Sequence, residues 1–156
     1  MDYHKRIRQA VDEADIFSKR KLAEDMGYAE TALYKWRKGE VEPTLTAIMS
    51  LCEALDISAH WLLFGEEAKP VKGLVNLKSK SFGIRLRMLL AERNWRQKEL
   101  AKKINRGNAS VSGWCLDNAE PKAEAIIEMC KAFGVSADYL IFGEERREGG
   151  VSNETD

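Results

Sequence analysis

The side chains best suited to chemistry fall in one run in the first third of the chain. Glu30, Thr31, Tyr34, Lys35, Arg37 and Lys38 stand at spacings that a helix over 30–38 gathers on one side, with Leu33 and Trp36 on the other. Hydroxyls, amines, a guanidinium and one carboxylate on a helix can hydrogen-bond base edges and neutralise phosphates, and such a helix fits the major groove of B-form DNA. Lys19-Arg20-Lys21 opens the segment before it. That run reads either as a solvated face or, at the start of a helix, as a phosphate contact. Catalytic patterns are missing: no Ser-His-Asp or Cys-His arrangement, metal cluster or glycine-rich phosphate loop is present. The reading is therefore of a binding protein, not an enzyme, with no cofactor or metal. His4 and His60 are isolated and read as inert. Cys52, Cys115 and Cys130 are odd in number and contain no CxxC pair, which argues against a disulfide framework or a zinc site. Cys52 and Cys130 sit on apolar helical faces, whereas Cys115 reads as more exposed.

A second run repeats the first. Gln97-Lys98-Glu99-Leu100-Ala101 precedes Arg106, Asn108, Ala109, Ser112 and Gly113 on the outward side of a helix that carries Val111 and Trp114 inward. Two elements must position each set: short helices crossing steeply, joined by a turn of three or four residues. Gly27 supplies the positive φ such a turn needs, and Asn105 takes its place in the second run. Ala23 is small enough for close helix approach, and Leu22, Met26, Leu33 and Trp36 face the core.

The correspondence extends over the chain. Leu22-Ala23, Trp36, Pro43, Cys52 and Phe64-Gly65-Glu66 recur 78 residues later as Leu100-Ala101, Trp114, Pro121, Cys130 and Phe142-Gly143-Glu144. Arg6-Ile7-Arg8 recurs as Arg85-Leu86-Arg87 with one more residue of offset. Each copy reads as five short helices, near 3–14, 19–26, 30–38, 44–55 and 58–64, then 82–93, 97–104, 108–115, 122–133 and 136–142. Leu45, Ile48, Leu51, Cys52 and Leu55 show the helical period, as do Ala123, Ile126, Ile127, Cys130 and Phe133. Ser58 and Ser136 suit N-caps, and Gly65 and Gly143 suit left-handed C-terminal residues. The fold class is all-α, with two tandem five-helix domains at 1–65 and 82–143.

Between them, 66–81 reads as a linker with four lysines, whose Val71, Leu74, Val75 and Leu77 are expected to pack on something. The segment 144–156 reads as a disordered acidic tail. Net charge is zero, but residues 82–143 hold 10 Lys and Arg against 7 Asp and Glu, while 1–65 hold 9 against 11. Phosphate binding needs a local patch, not a global excess. No apolar run approaches the ~20 residues of a membrane span and no signal-peptide core is visible, so the location reads as cytoplasmic and nucleoid-associated.

Both units resemble the lambda-repressor-like helix-turn-helix family, of the phage-repressor or XRE type. The Leu-Ala pair, the turn residue, the apolar-x-x-Trp and the later Pro carry the likeness, with the endings Ile57-Ser58-Ala59-His60-Trp61-Leu62-Leu63-Phe64-Gly65 and Val135-Ser136-Ala137-Asp138-Tyr139-Leu140-Ile141-Phe142-Gly143. The resemblance implies a sequence-specific regulator of transcription binding double-stranded DNA, of bacterial or phage origin and of the repressor kind. It makes the third helix of each unit the recognition helix, and gives Lys19 and Gln97 to phosphate. It also implies two-fold pairing; the apolar last helices, with Trp61, Leu63, Tyr139 and Ile141, are expected to pack on each other or on Val71, Leu74 and Val75 of the linker, as an intramolecular pseudo-dimer or a homodimer. No small-molecule substrate and no membrane are expected. The sequence departs from the pattern at Gly113, where a polar or basic residue is usual, and at Glu30, which repels phosphate but can accept from cytosine. A protein-interaction module on the same scaffold, such as an antirepressor, antitoxin or phage-encoded inhibitor, is the alternative.

Overall fold

In a computed structural model, described for residues 2–14, 18–69, 71 and 73–145, the chain forms ten helices and no strand among those residues. The first five are α1 (Tyr3–Glu13), α2 (Lys19–Met26), α3 (Glu30–Lys38), α4 (Leu45–Leu55) and α5 (Ala59–Phe64). The second five are α6 (Phe82–Arg93), α7 (Gln97–Lys103), α8 (Asn108–Cys115), α9 (Ala123–Phe133) and α10 (Ala137–Phe142). The expected boundaries differ mainly by cap residues. Thr44, Ser58 and Ser136 are extended, and their hydroxyls accept from the amides of Ala47, Trp61 and Tyr139. Each satisfies one of the orphan amides that a helix start leaves open.

The apolar periods read from the sequence are the buried faces. Leu45, Ile48, Leu51 and Cys52 of α4 are buried, and so are Ala123, Ile126, Cys130 and Phe133 of α9. Cys115, expected to be more exposed, is fully buried. It ends α8 on the inward side beside Trp114, and burial pushes its thiol pKa up. Gly27 ends α2 at φ 82°, and its turn closes with the Tyr28 amide donating to the Ala23 carbonyl at 2.8 Å. Asn105 takes φ 55° in the corresponding turn, where the Arg106 amide donates to the Ala101 carbonyl at 2.9 Å.

One buried arginine in each copy locks its ends together. Arg6 of α1 donates from Nε to the Leu62 carbonyl and from a terminal nitrogen to that of Leu63, both at 2.7 Å. Arg85 of α6 reaches Leu140 and Ile141 in the same way. Each guanidinium therefore satisfies carbonyls that the short last helix leaves without intrahelical partners.

The linker lies against the second copy through two of the four side chains expected. Leu77 is buried and Leu74 half-buried, whereas Val71 and Val75 are exposed. The backbone adds to the attachment: the Tyr139 hydroxyl donates to the Val75 carbonyl at 2.6 Å, and the Leu77 amide to the Gly143 carbonyl at 2.7 Å. With its carbonyl turned in, Val75 points its side chain out. Pro70 and Lys72 of the linker lie outside the described residues, as does the expected acidic tail from residue 146 onward.

The two copies meet through α5 against α10 and α4 against α9. The contact is reciprocal. The Leu45 amide donates to the Pro121 carbonyl at 3.0 Å, and the Ala123 amide returns the bond to Pro43 at 3.0 Å. The Thr46 amide donates to Glu120 at 2.7 Å, and the Glu124 amide to Glu42 at 2.9 Å. Partners in each pair of bonds are related by the same 78-residue offset, the signature of an approximate two-fold relation. Thr44 and Lys122, themselves 78 apart, form an isolated antiparallel bridge between the copies.

Candidate nucleic-acid interface

The crossing of α2 and α3 leaves the outer side of α3 uncovered. Glu30, Thr31, Tyr34, Lys35 and Lys38 are exposed there, and Tyr34 keeps 48% of its surface open. Lys38 lies over the Tyr34 ring, 5.4 Å from its centroid, which orders the tyrosine beside a cation. Behind them Leu33 and Trp36 are buried, with Tyr28 edge-on to Trp36 at 5.0 Å. Ala29 caps α3 without a side-chain hydrogen bond.

Arg37 departs from the expected outward face. Its side chain is only 19% exposed and turns toward α1, where it donates to Asp12 at 3.1 Å. By phase it sits at the rim between the outer face and the core, and a carboxylate on α1 pulls it inward. Lys19 reaches the same Asp12 oxygen at 3.6 Å. Lys19, Glu30, Thr31, Leu33, Tyr34 and Arg37 line one open recess of about 230 Å³. Arg20 is exposed but engaged on its own helix with Glu24 at 3.3 Å, and Lys21 with Asp25 at 2.7 Å. The Ser18 hydroxyl accepts from the amides of Arg20 and Lys21, so the start of α2 is already capped.

In the second copy Lys98, Arg106, Asn108 and Ala109 are exposed, whereas Gln97, Ser112 and Gly113 are half-covered. Gly113 does not point to open solvent: a Cβ there would lie 3.3 Å from the Ala119 methyl carbon. The loop after α8 folds back, with the Asn118 and Ala119 amides both donating to the Gly113 carbonyl. The second face is therefore smaller and less charged than the first. It consists of amide, hydroxyl and methyl groups, with Lys98 and Arg106 on the flanks.

Sequence reasoning missed the polar seam between the copies. His60, read as inert, accepts from the Ala137 amide through Nδ1 at 3.0 Å and stacks on Phe64 at 4.4 Å. At the corresponding position Asp138, fully buried, accepts from the Ser58 hydroxyl at 2.6 Å and from the Ala59 amide at 2.8 Å. Each side chain thus caps the other copy's last helix. Burial lowers the His60 pKa, with Asp138, Glu66 and Glu145 opposing the shift. The one available signal was positional: in a repeat, His60 and Asp138 are the same site with complementary chemistry.

Two helix pairs joined by tight positive-φ turns, each presenting a polar second helix to solvent, define a tandem helix-turn-helix protein. A model of the Cro/C1-type HTH DNA-binding domain matches residues 6–59, and a helix-turn-helix model matches residues 86–140. The chain carries two helix-turn-helix domains, the first of them matched as the Cro/C1 type. It is similar to the HTH-type transcriptional regulator ImmR of Bacillus subtilis (strain 168), 33% identical over 76 residues, which cover 49% of this chain and 58% of the relative. It is also similar to the HTH-type transcriptional regulator DicA of Escherichia coli (strain K12), 33% identical over 67 residues, or 40% of this chain and 50% of that one. The chain thus spans little more than half the length of the curated relatives it matches. No solved structure matches it.

Proposed function

We propose that this chain is a sequence-specific regulator of transcription, of the repressor kind, acting on double-stranded DNA at the bacterial nucleoid. The observation that carries this reading is the uncovered outer face of α3, with Thr31, Tyr34, Lys35 and Lys38 exposed on a helix whose opposite side is the core. The α2 start with Lys19, and Gln97 with Lys98 in the second copy, meet backbone phosphate. Base edges are read by Tyr34 and Lys35 in one half-site and by Asn108 and Ser112 in the other.

The reciprocal seam supports an intramolecular pseudo-dimer as the binding unit. Family dimers read half-sites about 34 Å apart. A linker of roughly 16 residues spans at most about 50 Å, so one chain can present both recognition helices. Because the two faces differ, the operator is asymmetric: a half-site under α3 with the stronger base preference, and one under α8 with a weaker preference.

Selection from a random duplex library tests this, with wild type beside a Tyr34→Ala/Lys35→Ala variant and an Asn108→Ala/Ser112→Ala variant. The expected result is one enriched motif, with each variant relaxing its own half. Each base-reading contact removed weakens binding by about 1–3 kcal/mol. No enrichment, with residual binding lost in salt, overturns the reading and turns the search to a protein partner.

A further inference from the structure

An acidic residue on α1 meets two cations at the edge of the recognition side. Asp12 is half-exposed, and one of its oxygens meets both Arg37 of α3 at 3.1 Å and Lys19 of α2 at 3.6 Å. Both cations line the recess that also contains Thr31 and Tyr34 of the recognition helix. The Arg37 Nε is buried and has no hydrogen-bond partner among the described residues, so the guanidinium keeps a donor unused. A solvated carboxylate shared by two cations makes weak, exchangeable pairs.

The second copy supplies an internal comparison. The positions of Asp12, Lys19 and Arg37 correspond there to Ala91, Gln97 and Cys115. The acid and both cations are absent together, which marks the three as one unit and not as scattered surface charges. Cys115 is buried and packs where Arg37 reaches out.

We infer that Asp12 is a built-in competitor for DNA phosphate, a positioning residue that holds Lys19 and Arg37 until the backbone displaces it. This deepens the DNA reading above and rests on it. In the free protein the carboxylate pre-neutralises the two cations and holds them at the edge of the recognition face. On binding, a phosphate oxygen replaces the carboxylate oxygen and Asp12 takes up a solution cation. Net counterion release by the first copy is thereby reduced, and its non-specific affinity for duplex is held down. The second copy has no such restraint.

The test is the salt dependence of binding of the full chain to a random-sequence duplex, for wild type, Asp12→Asn and Glu13→Gln. Glu13 lies next along α1, and it bonds Gln9 at 3.2 Å, so it controls for the loss of one negative charge. Asp12→Ala, which copies the residue at the corresponding second-copy position, serves as a second variant. Expected is a several-fold gain in affinity at low salt for both Asp12 variants, with a plot of log K against log salt steeper by about one. Glu13→Gln should leave the slope unchanged. Equal slopes for all four proteins overturn the inference, as does weaker binding by both Asp12 variants at every salt concentration. Either result would make Asp12 a structural tie between α1 and α3. A wild-type chain that binds no duplex at any salt overturns the DNA reading, and this inference with it.

Discussion

At the scale of single residues, the seam between the copies is where titration meets structure. His60 must be neutral at Nδ1 to accept the Ala137 amide, and burial lowers its pKa below the ordinary value of about 6.5. Between that value and the lowered one, the unfolded chain binds a proton at this site that the folded chain does not. The His60 contribution to stability is therefore complete above about pH 7 and is lost as pH falls through the window. Urea unfolding at about pH 7.5 and pH 5.5 should show wild type losing more stability on acidification than His60→Gln, which keeps an acceptor but does not titrate. Parallel losses in the two proteins would count against the assignment. Neither His60 nor Asp138 could be given this role from sequence. A lone histidine on a short helix looks like any surface histidine, and the amide its ring meets lies 77 positions away in the other copy.

At the scale of helices, most of the architecture was legible, for reasons that are local. Periodic apolar residues on α4 and α9, serine caps before α5 and α10, and positive-φ residues at the turns all act within a few positions along the chain. What was not legible depends on contacts between helices. Arg37 sits at the rim of the outer face by phase, and Asp12 on α1 draws it inward. Gly113 reads as a gap in the recognition face, but the loop after α8 packs over it. Gly83 carries the same lesson with a measurable consequence. A Cβ there would lie 2.5 Å from the Cys115 carbonyl oxygen and 2.8 Å from that of Trp114, so glycine lets α6 close on the end of α8. The first copy has His4 at the matching place, where Nδ1 meets the Trp36 carbonyl at 2.7 Å. Gly83→Ala should destabilise the second copy by about 1–3 kcal/mol, since the obstruction is backbone that cannot swing aside. Thermal unfolding that leaves Tm unchanged would show that α6 and α8 pack less closely than the structure has them.

At the scale of the molecule, the question is whether two recognition helices act as a rigid pair or as tethered halves. The linker alone would permit either, since its reach exceeds one turn of DNA. Rigidity must come from the seam, and Asp138 is its most demanding member. It is fully buried and accepts from the Ser58 hydroxyl and the Ala59 amide of the other copy. Replacing it by alanine strands the Ala59 amide beneath α10, and a buried donor left unpaired costs about 1–3 kcal/mol. The buried residues of both copies form one continuous cluster across this seam, so loosening the seam loosens the pairing of the copies. For wild type, inserting half a helical turn of DNA between the half-sites rotates one recognition helix away from its groove, and affinity should fall toward that of a single half-site. For Asp138→Ala, affinity for the best spacing should drop, while the penalty for the insertion should shrink, because tethered halves can follow their sites. The ratio of affinities for the two spacings, measured for both proteins, isolates the seam from the recognition faces, which are identical in the two. An unchanged ratio would mean that the copies move together for some other reason than Asp138, with the Pro43, Pro121, Glu42 and Glu120 contacts then sufficient to hold them.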